Sequence, residues 1–396
     1  MTKLEELIQE LCPDGVQFLR IPELFTTRNG YTPSKANSEF WENGTIPWFR
    51  MEDIRTNGRI LTEATQCVSK KAVKGRVFPE NSIIVATSAT IGEHALIKVP
   101  SLANQRFTYL VLKDEFKSSV DMMFIFYYCF KLDEYCKTHL NRGNFASVDM
   151  KQFAEFKFPV PPLPVQREIV RILDNFTELT AELTAELTAR KQQYAYYRDK
   201  LLTFGDVRGG ATSDVVWSTL GEICNISAGG DAPKDSMSKQ KTEKYSVPII
   251  SNGIGENALY GYTDAPKVEE PAVTVAARGT IGYAEYRDYP FYPIIRLLTA
   301  IPKDSTVVNT KYLYYCLQGK QYSVPMGGIP QLTAPELKKV EIPIPSLDVQ
   351  NRIVQVLDNF DAICTDLSSG LPAEIEARQK QYEYYRDKLL TFTPAD

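Results

Sequence analysis

The sequence predicts an α/β (α+β) protein: two mixed α/β domains separated by two long helical regions, with the whole chain organised as an internal repeat. Three observations carry this prediction. Residues 190–204 (RKQQYAYYRDKLLTF) recur as residues 378–392 (RQKQYEYYRDKLLTF), identical at 12 of 15 positions. Upstream of each copy lies a second matched block, VQREIVRILDNF at 165–176 and VQNRIVQVLDNF at 349–360, identical at 8 of 12 positions. Each block follows a proline-rich lead-in, FPVPPLP at 158–164 and IPIPSLD at 342–348. Two copies are too few for a solenoid, so the plan is variable–repeat–variable–repeat. The boundaries this gives are 1–160, 161–206, 207–344 and 345–396, and at 396 residues each variable segment can bury its own core.

The chain opens on MTKLEELIQEL, charged and helix-like, without a secretory pattern. In the first variable segment, SIIVAT at 82–87 and FTYLVL at 107–112 read as short strands between Gly, Pro and Asn turns. An apolar aromatic helix is expected over 122–135. Its run MMFIFYYCF is too short for the roughly 20 residues of a membrane span. A Gly-containing loop, NRGNFASVD at 141–149, then precedes the first proline lead-in.

The first helical region places Ile169, Ile172, Leu173, Phe176, Leu179, Leu183, Leu187, Tyr194, Tyr197 and Leu201 at spacings of three and four, one apolar stripe on a helix. Pro164 suits its start and Gly205 its stop. Some forty residues make a rod of about 60 Å, which needs a second helix to cover its stripe. The second copy supplies Ile353, Val356, Leu357, Phe360, Ile363, Leu367, Ile375, Tyr382, Tyr385 and Leu389, with Gly370 and Pro372 predicting a break. The two matched blocks are offset by 184 (349 − 165) and 188 (378 − 190), so the copies differ by four residues, close to one helical turn. In the first copy this stretch is itself repetitive, with Thr180-Ala181-Glu182-Leu183 followed by Thr184-Ala185-Glu186-Leu187. A four-residue unit adds about 6 Å while nearly keeping the helix face, which suits a spacer tuned in whole turns.

The second variable segment repeats the pattern, with strands expected at 247–251 and 272–277, a helix over 312–317 and the loop MGGIPQLTA at 326–334. The two Gly-containing loops sit at matching offsets (327 − 143 = 184).

Net charge is −4, but it is unevenly distributed. Residues 16–160 hold 19 Lys+Arg against 15 Asp+Glu, and residues 207–344 hold 14 against 14. The acid lies in 1–15 (1 against 4), 161–206 (6 against 7) and 345–396 (5 against 9), so an acidic total does not exclude a local positive footprint. Seven cysteines without CxxC spacing and only two histidines make a metal site improbable and suit reduced thiols in a cytoplasmic protein. The sequence has no GxxxxGK[ST], GxGxxG, HExxH or GxSxG motif, and neither His94 nor His139 has an evident triad partner. No catalytic or metal-binding residue is therefore assigned.

What remains are loops of Ser, Thr, Asn, Gln, Arg and Lys, the groups that contact phosphates and base edges. The candidates in the first segment are Thr32, Ser34, Lys35, Arg50, Ser88, Asn104, Gln105, Arg106, Arg142 and Asn144. Those in the second are Lys234, Ser251, Asn252, Arg278, Thr280, Arg296 and Gln331. Trp41 and Trp48 are expected to pack rather than stack on bases. Two functions fit these residues: a reader of double-stranded DNA, or a coiled-coil scaffold whose variable domains bind protein or glycan.

The paired VPPLP/IPIP…VQxxIVxxLDNF lead-ins, the doubled YYRDKLLTF ends and the TAEL units resemble the DNA-specificity subunits of Type I restriction–modification systems over nearly the whole chain. GYTPSKANSEFWENGTIPW and SLANQRF also resemble a common target-recognition pattern. The resemblance implies two target-recognition domains, 1–160 with its N-terminal helix and 207–344. It implies a central helical spacer at 161–206 and a C-terminal helical region at 345–396, packed together as an antiparallel coiled coil. It further implies a non-catalytic chain that binds a split, asymmetric DNA site, whose unspecified gap varies with the number of TAEL units. Two methylation subunits and restriction/translocase subunits would be its partners. S-adenosylmethionine, ATP and Mg would bind those partners, and no cofactor would bind this chain.

Overall fold

The computed structural model describes residues 2–141, 146–204, 215–322 and 330–395. The chain divides into two units, Met1–Glu182 with Glu376–Asp396, and Leu183–Ile375. Both boundaries fall inside helices, Leu163–Leu202 and Leu371–Leu389.

The first unit is built on a five-stranded sheet in the order Phe25–Asn29, Phe107–Leu112, Ser82–Ala86, His94–Ile97, Ile60–Leu61, antiparallel except for the last pair. Side chains alternate across a strand. Ile83 and Val85 face one way, onto the aromatic helix Met122–Thr138 with Phe124, Ile125, Cys129 and Leu132. Ile84 and Ala86 face the other way, onto Trp48, Phe49, Met51 and Ile54. Burial on both faces explains why SIIVA is apolar throughout rather than alternating. A smaller sheet, Cys67–Val68, Ile46–Phe49 and Leu102–Ala103, closes the second core. Phe18–Arg20 pairs antiparallel with Lys157–Pro159, tying the segment's start to the proline-rich lead-in.

The second unit repeats this plan. Its main sheet runs Cys224–Ala228, Leu298–Pro302, Ala272–Val275, Ala284–Arg287, all antiparallel. The smaller sheet runs Met237–Ser238, Leu259–Thr263, Val247–Ile250, Tyr292–Pro293. The helix Thr310–Leu317 stands where the aromatic helix stands in the first unit, and Val216–Thr219 pairs with Glu341–Ile344. The edge strand Ile60–Leu61 has no counterpart among the described residues.

One contact recurs in both units where a domain meets its helical region. The Gln166 side chain is fully buried; its Oε1 accepts from the Asp121 N–H (2.8 Å), and its Nε2 donates to the carbonyls of Ser119 (2.9 Å) and Pro161 (2.6 Å). Gln350, also fully buried, accepts from the Asn309 N–H (2.9 Å) and donates to Val307 and Pro345 (both 2.8 Å). Two turns further on, Tyr127 donates to Asp174 and Tyr315 to Asp358, each at 2.5 Å.

The long helix Leu163–Leu202 is unbroken through both TAEL units, and the Thr180 hydroxyl folds back onto the Phe176 carbonyl at 2.9 Å. Leu183 and Leu187 are half-buried, while Ala181, Glu182, Thr184, Ala185 and Glu186 are exposed. In the first unit Phe176 stacks on Tyr385 (centroids 5.5 Å, 23°), and in the second Tyr197 stacks on Phe360 (5.9 Å, 26°). Phe176 and Phe360 are repeat equivalents, as are Tyr197 and Tyr385. Each unit is thus closed by the opening of one copy against the end of the other, the coiled-coil pairing the two stripes require.

The second copy breaks between Leu347–Thr365 and Leu371–Leu389, where Gly370 and Pro372 place the break. A Cβ on Gly370 would lie 2.7 Å from the carbonyl oxygens of Ala362 and Asp366, so only glycine fits there. Pro372, second in the new helix, has no N–H to lose. The four-residue difference between the copies is therefore taken up in this break, not as an added helical turn. Gly205, expected as the stop of the long helix, lies outside the described residues. No helix among the described residues is long and apolar enough to cross a membrane.

Two predictions follow from this geometry. Gln166→Leu or Gln350→Leu leaves one N–H and two carbonyls unpaired, at ~1–3 kcal/mol each when buried. The urea midpoint should fall by an amount equivalent to several kcal/mol, and a loss below about 1 kcal/mol would show the clamp to be dispensable. Separately, Arg171 (2.7 Å) and Lys3 (2.9 Å) hold the Glu168 carboxyl down to about 2 from its usual 4.5. A folded value below the unfolded one stabilises above pH 4.5, and the contribution is lost as pH falls toward 2. Denaturation curves across that window should flatten in Glu168→Gln; an unchanged slope would refute the assignment.

Candidate nucleic-acid interface

The loops carrying the sequence-selected residues leave the sheets at one end of each unit. In the first unit they follow Asn29, Phe49, Ala86 and Ala103, and they precede Phe107. Backbone hydrogen bonds join them: Gly30 N–H to Phe107 O (2.9 Å), Asn104 N–H to Phe49 O (3.0 Å) and Thr87 N–H to Arg106 O (2.9 Å). The second unit repeats two of these bonds, Gly229 N–H to Leu297 O and Ile294 N–H to Ile250 O, both 2.8 Å. The turn ATSATIG at 86–92 matches AARGTIG at 276–282. Ala89 and Gly279 both take positive φ (64° and 72°), as do Gly92 and Gly282 (83° and 85°).

In the first unit Thr32 donates to the Gln105 side-chain oxygen, and the Asn104 side chain accepts from the Arg106 N–H (3.0 Å). Ser88 forms a bridge with Ser147. Arg50 lies over the Trp48 ring (5.7 Å); its buried Nε has no hydrogen-bond partner and the Glu52 carboxylate is 3.9 Å away. The Ser34 carbonyl accepts from the Trp41 indole (3.0 Å), and the Tyr31 carbonyl from the Trp48 indole (2.9 Å). With their rings edge to face at 5.0 Å, the two tryptophans hold the 31–34 loop by packing, as expected. Lys35 is exposed beyond it. Arg142 and Asn144 lie outside the described residues.

In the second unit Asn252 joins three loops. Its Oδ1 accepts from the Ala277 N–H (2.8 Å), its Nδ2 donates to Ile295 O (2.5 Å), and its carbonyl accepts from the Thr280 hydroxyl (3.0 Å). Gln331 Oε1 accepts from both Nε (2.9 Å) and Nη2 (2.5 Å) of the exposed Arg278, fixing the plane of its guanidinium. Ser251 donates to the Ala258 carbonyl (3.1 Å). Arg296 stands where Arg106 stands in the first unit, and Lys234 is exposed in a short turn beside Ile295.

Two basic stretches escaped sequence selection. Lys70, Lys71, Lys74 and Arg76 form one, on a stretch bonded to Tyr31, whose hydroxyl accepts from the Lys74 N–H (2.7 Å) and donates to Ala72 O (3.1 Å). Lys239, Lys241 and Lys244 form the other, with Lys239 over the Tyr260 ring at 3.6 Å. Four basic residues within KKAVKGR were signal enough, but charge summed over whole segments hid them. His94 begins the strand that follows the 86–92 turn, but its side chain is core: it is buried beside Phe126 and Phe130, with Nδ1 2.7 Å from Asp133, a carboxylate it shares with Arg59 (3.2 Å). Among the described residues no cluster of His, Cys, Asp and Glu could hold a metal ion.

Residues 13–190 and 212–377 match the family described as Type I restriction modification DNA specificity domain. The chain belongs to this family. It is 41% identical over 386 residues to the Escherichia coli Type I restriction enzyme EcoprrI specificity subunit, covering 93% of each chain. It is 32% identical to the Escherichia coli EcoR124I/EcoR124II specificity subunit, over 63% of this chain and 68% of that one. Two solved structures share the fold. One, from a study of complex assembly and conformational transition of the Type I R-M system, has a TM-score of 0.68 at 18% identity, covering 96% and 98% of the two chains. The other, the HsdS subunit from Thermoanaerobacter tengcongensis, has a TM-score of 0.51 at 16% identity, covering 96% and 94%. The two stretches of the specificity-family match meet the two repeated units.

The three bonds of Asn252 predict its substitution phenotype. Asn252→Ala should speed hydrogen exchange at the Ala277 amide by about 10- to 100-fold, the worth of a ~1–3 kcal/mol hydrogen bond to a partly buried group. Unchanged exchange would show that the loops hold without it.

Proposed function

We propose that this chain reads a bipartite double-stranded DNA site, one half-site by each unit, and performs no catalysis itself. The observation that carries this reading is the recurrence of one loop scaffold at the same end of both units, with different side chains mounted on it. Thr32, Gln105, Arg106 and Ser88 in the first unit, and Arg278, Gln331, Arg296 and Thr280 in the second, are the base- and phosphate-contacting groups. Ser34, Lys35, Ser251 and Lys234 flank them. Asn252 holds the loops, because both ends of its amide face inward, and Arg50 lies over the Trp48 ring beside them. The basic stretches 70–76 and 239–244 supply phosphate contacts, which position the protein without specifying sequence.

Two copies of a methylation subunit dock on repeat-related helical surfaces. Tyr196 and Tyr384 support this, being 60% and 62% exposed at equivalent positions of the duplicated block. Restriction/translocase subunits join them, and S-adenosylmethionine, ATP and Mg belong to those partners, in the cytoplasm. The TAEL residues 180–187 set the unspecified gap between the half-sites.

Selection from random duplexes, with the methylation partner present, should enrich one bipartite motif whose binding weakens steeply with salt. Unpatterned binding overturns the reading, and salt-independent binding points instead to a protein- or glycan-binding scaffold. Deleting Thr184–Leu187 removes about 6 Å of helix and should shorten the gap by one or two base pairs at ~3.4 Å each, leaving both half-sites unchanged. An altered half-site would refute the spacer role.

A further inference from the structure

The second unit mounts an aliphatic side chain where the first mounts an amide. Gln105-Arg106 and Ile295-Arg296 occupy the same turn, each leading into the strand that begins at Phe107 or just after Leu297. Gln105 is exposed and takes a hydrogen bond from Thr32. Ile295 is 47% exposed, at a cleft it shares with Lys234, Asp235 and Tyr260.

Its backbone is unusual as well. Ile295 and Arg296 both adopt left-handed conformations, with φ of 53° and 60°. A β-branched residue there is a genuine outlier, held against its own steric preference. Glycine or asparagine would fit with less strain. The surroundings hold the turn all the same: Ile295 N–H donates to Gly230 O (2.8 Å), Arg296 N–H to Gly229 O (3.1 Å), and Asn252 Nδ2 to Ile295 O (2.5 Å). Gly229 permits this approach, since a Cβ there would fall 2.7 Å from the Pro293 carbonyl carbon. Strain, exposure of apolar surface and three bonds fixing the turn all converge on one side chain that the fold itself does not bury.

We propose that Ile295 reads a thymine in the second half-site through its C5 methyl group. The inference rests on the DNA-reading function proposed above. Among the base edges of the major groove the thymine methyl is the apolar feature, and a fixed aliphatic group is its natural partner. Gln105, at the equivalent place, presents an amide suited to the N6 and N7 of adenine. The scaffold is thereby set to different bases at matching positions, with Arg106 and Arg296 as the shared neighbours.

The test replaces each thymine of the mapped site, one at a time, by deoxyuridine, which removes only the methyl group. Binding is measured with the complete chain assembled with its methylation partner. One replacement should weaken binding about fourfold, the worth of one buried methyl-sized group. Ile295→Ala should lose sensitivity to that replacement alone, while Ile295→Val keeps it. Site-specific, salt-dependent binding with the same uracil profile in wild type and Ile295→Ala overturns the inference and leaves the DNA-reading function standing. So does a wild-type complex indifferent to every uracil, a result that needs no variant to fold. Failure to recover any bipartite site overturns both.

Discussion

The stacked pair Phe176–Tyr385 in the first unit and its repeat-related pair Tyr197–Phe360 in the second govern how the rest of the chain is laid down. A helix with one apolar stripe has to cover it, and neither copy of the repeat covers its own. The opening of the first copy is covered by the end of the second, some two hundred residues later in the chain. Leu390 is buried in the first unit's core, Phe392 packs against Phe124 (6.1 Å), and Lys131 donates to the Leu390 carbonyl (2.8 Å). The first unit is therefore incomplete until the last residues arrive. Such sequence-distant contacts are slow to form, because loop closure must precede the gain from burial.

Much of this architecture is legible in the residues. The apolar spacing at 165–202, the doubled blocks and the strand-like runs at 82–87 and 107–112 each report a local requirement for burial, and local requirements leave local periodicities. The break at Gly370 was legible for the same reason. That the second copy covers the first was legible too, since a stripe of some forty residues needs a partner of matching length, and the stacking of Phe176 on Tyr385 and of Tyr197 on Phe360 meets that need.

The interface divides along the same line. Residue types suited to DNA were visible in the loops, and the structure brings Thr32 to Gln105 and Arg278 to Gln331. The sequence could not separate groups that face outward from those that brace the loops. Asn252 looks like a reader by composition, yet both ends of its amide are spent on Ala277 and Ile295. Nor could it flag Ile295, which is notable only for a backbone angle and for being exposed. Both properties belong to the folded turn and not to the residue.

The glutamine clamp has a consequence for inheritance. Gln166 and Gln350 grip the N–H of Asp121 or Asn309 and the carbonyls of Ser119 or Val307, all of them main-chain groups. Main-chain groups are the same in any residue except proline, so the joint does not inspect the side chains it holds. A domain of different ancestry, bringing only a helix start of the right shape, would seat on the same glutamine. The joint fixes the backbone and leaves the side chains it carries open to replacement without altering the helices around it.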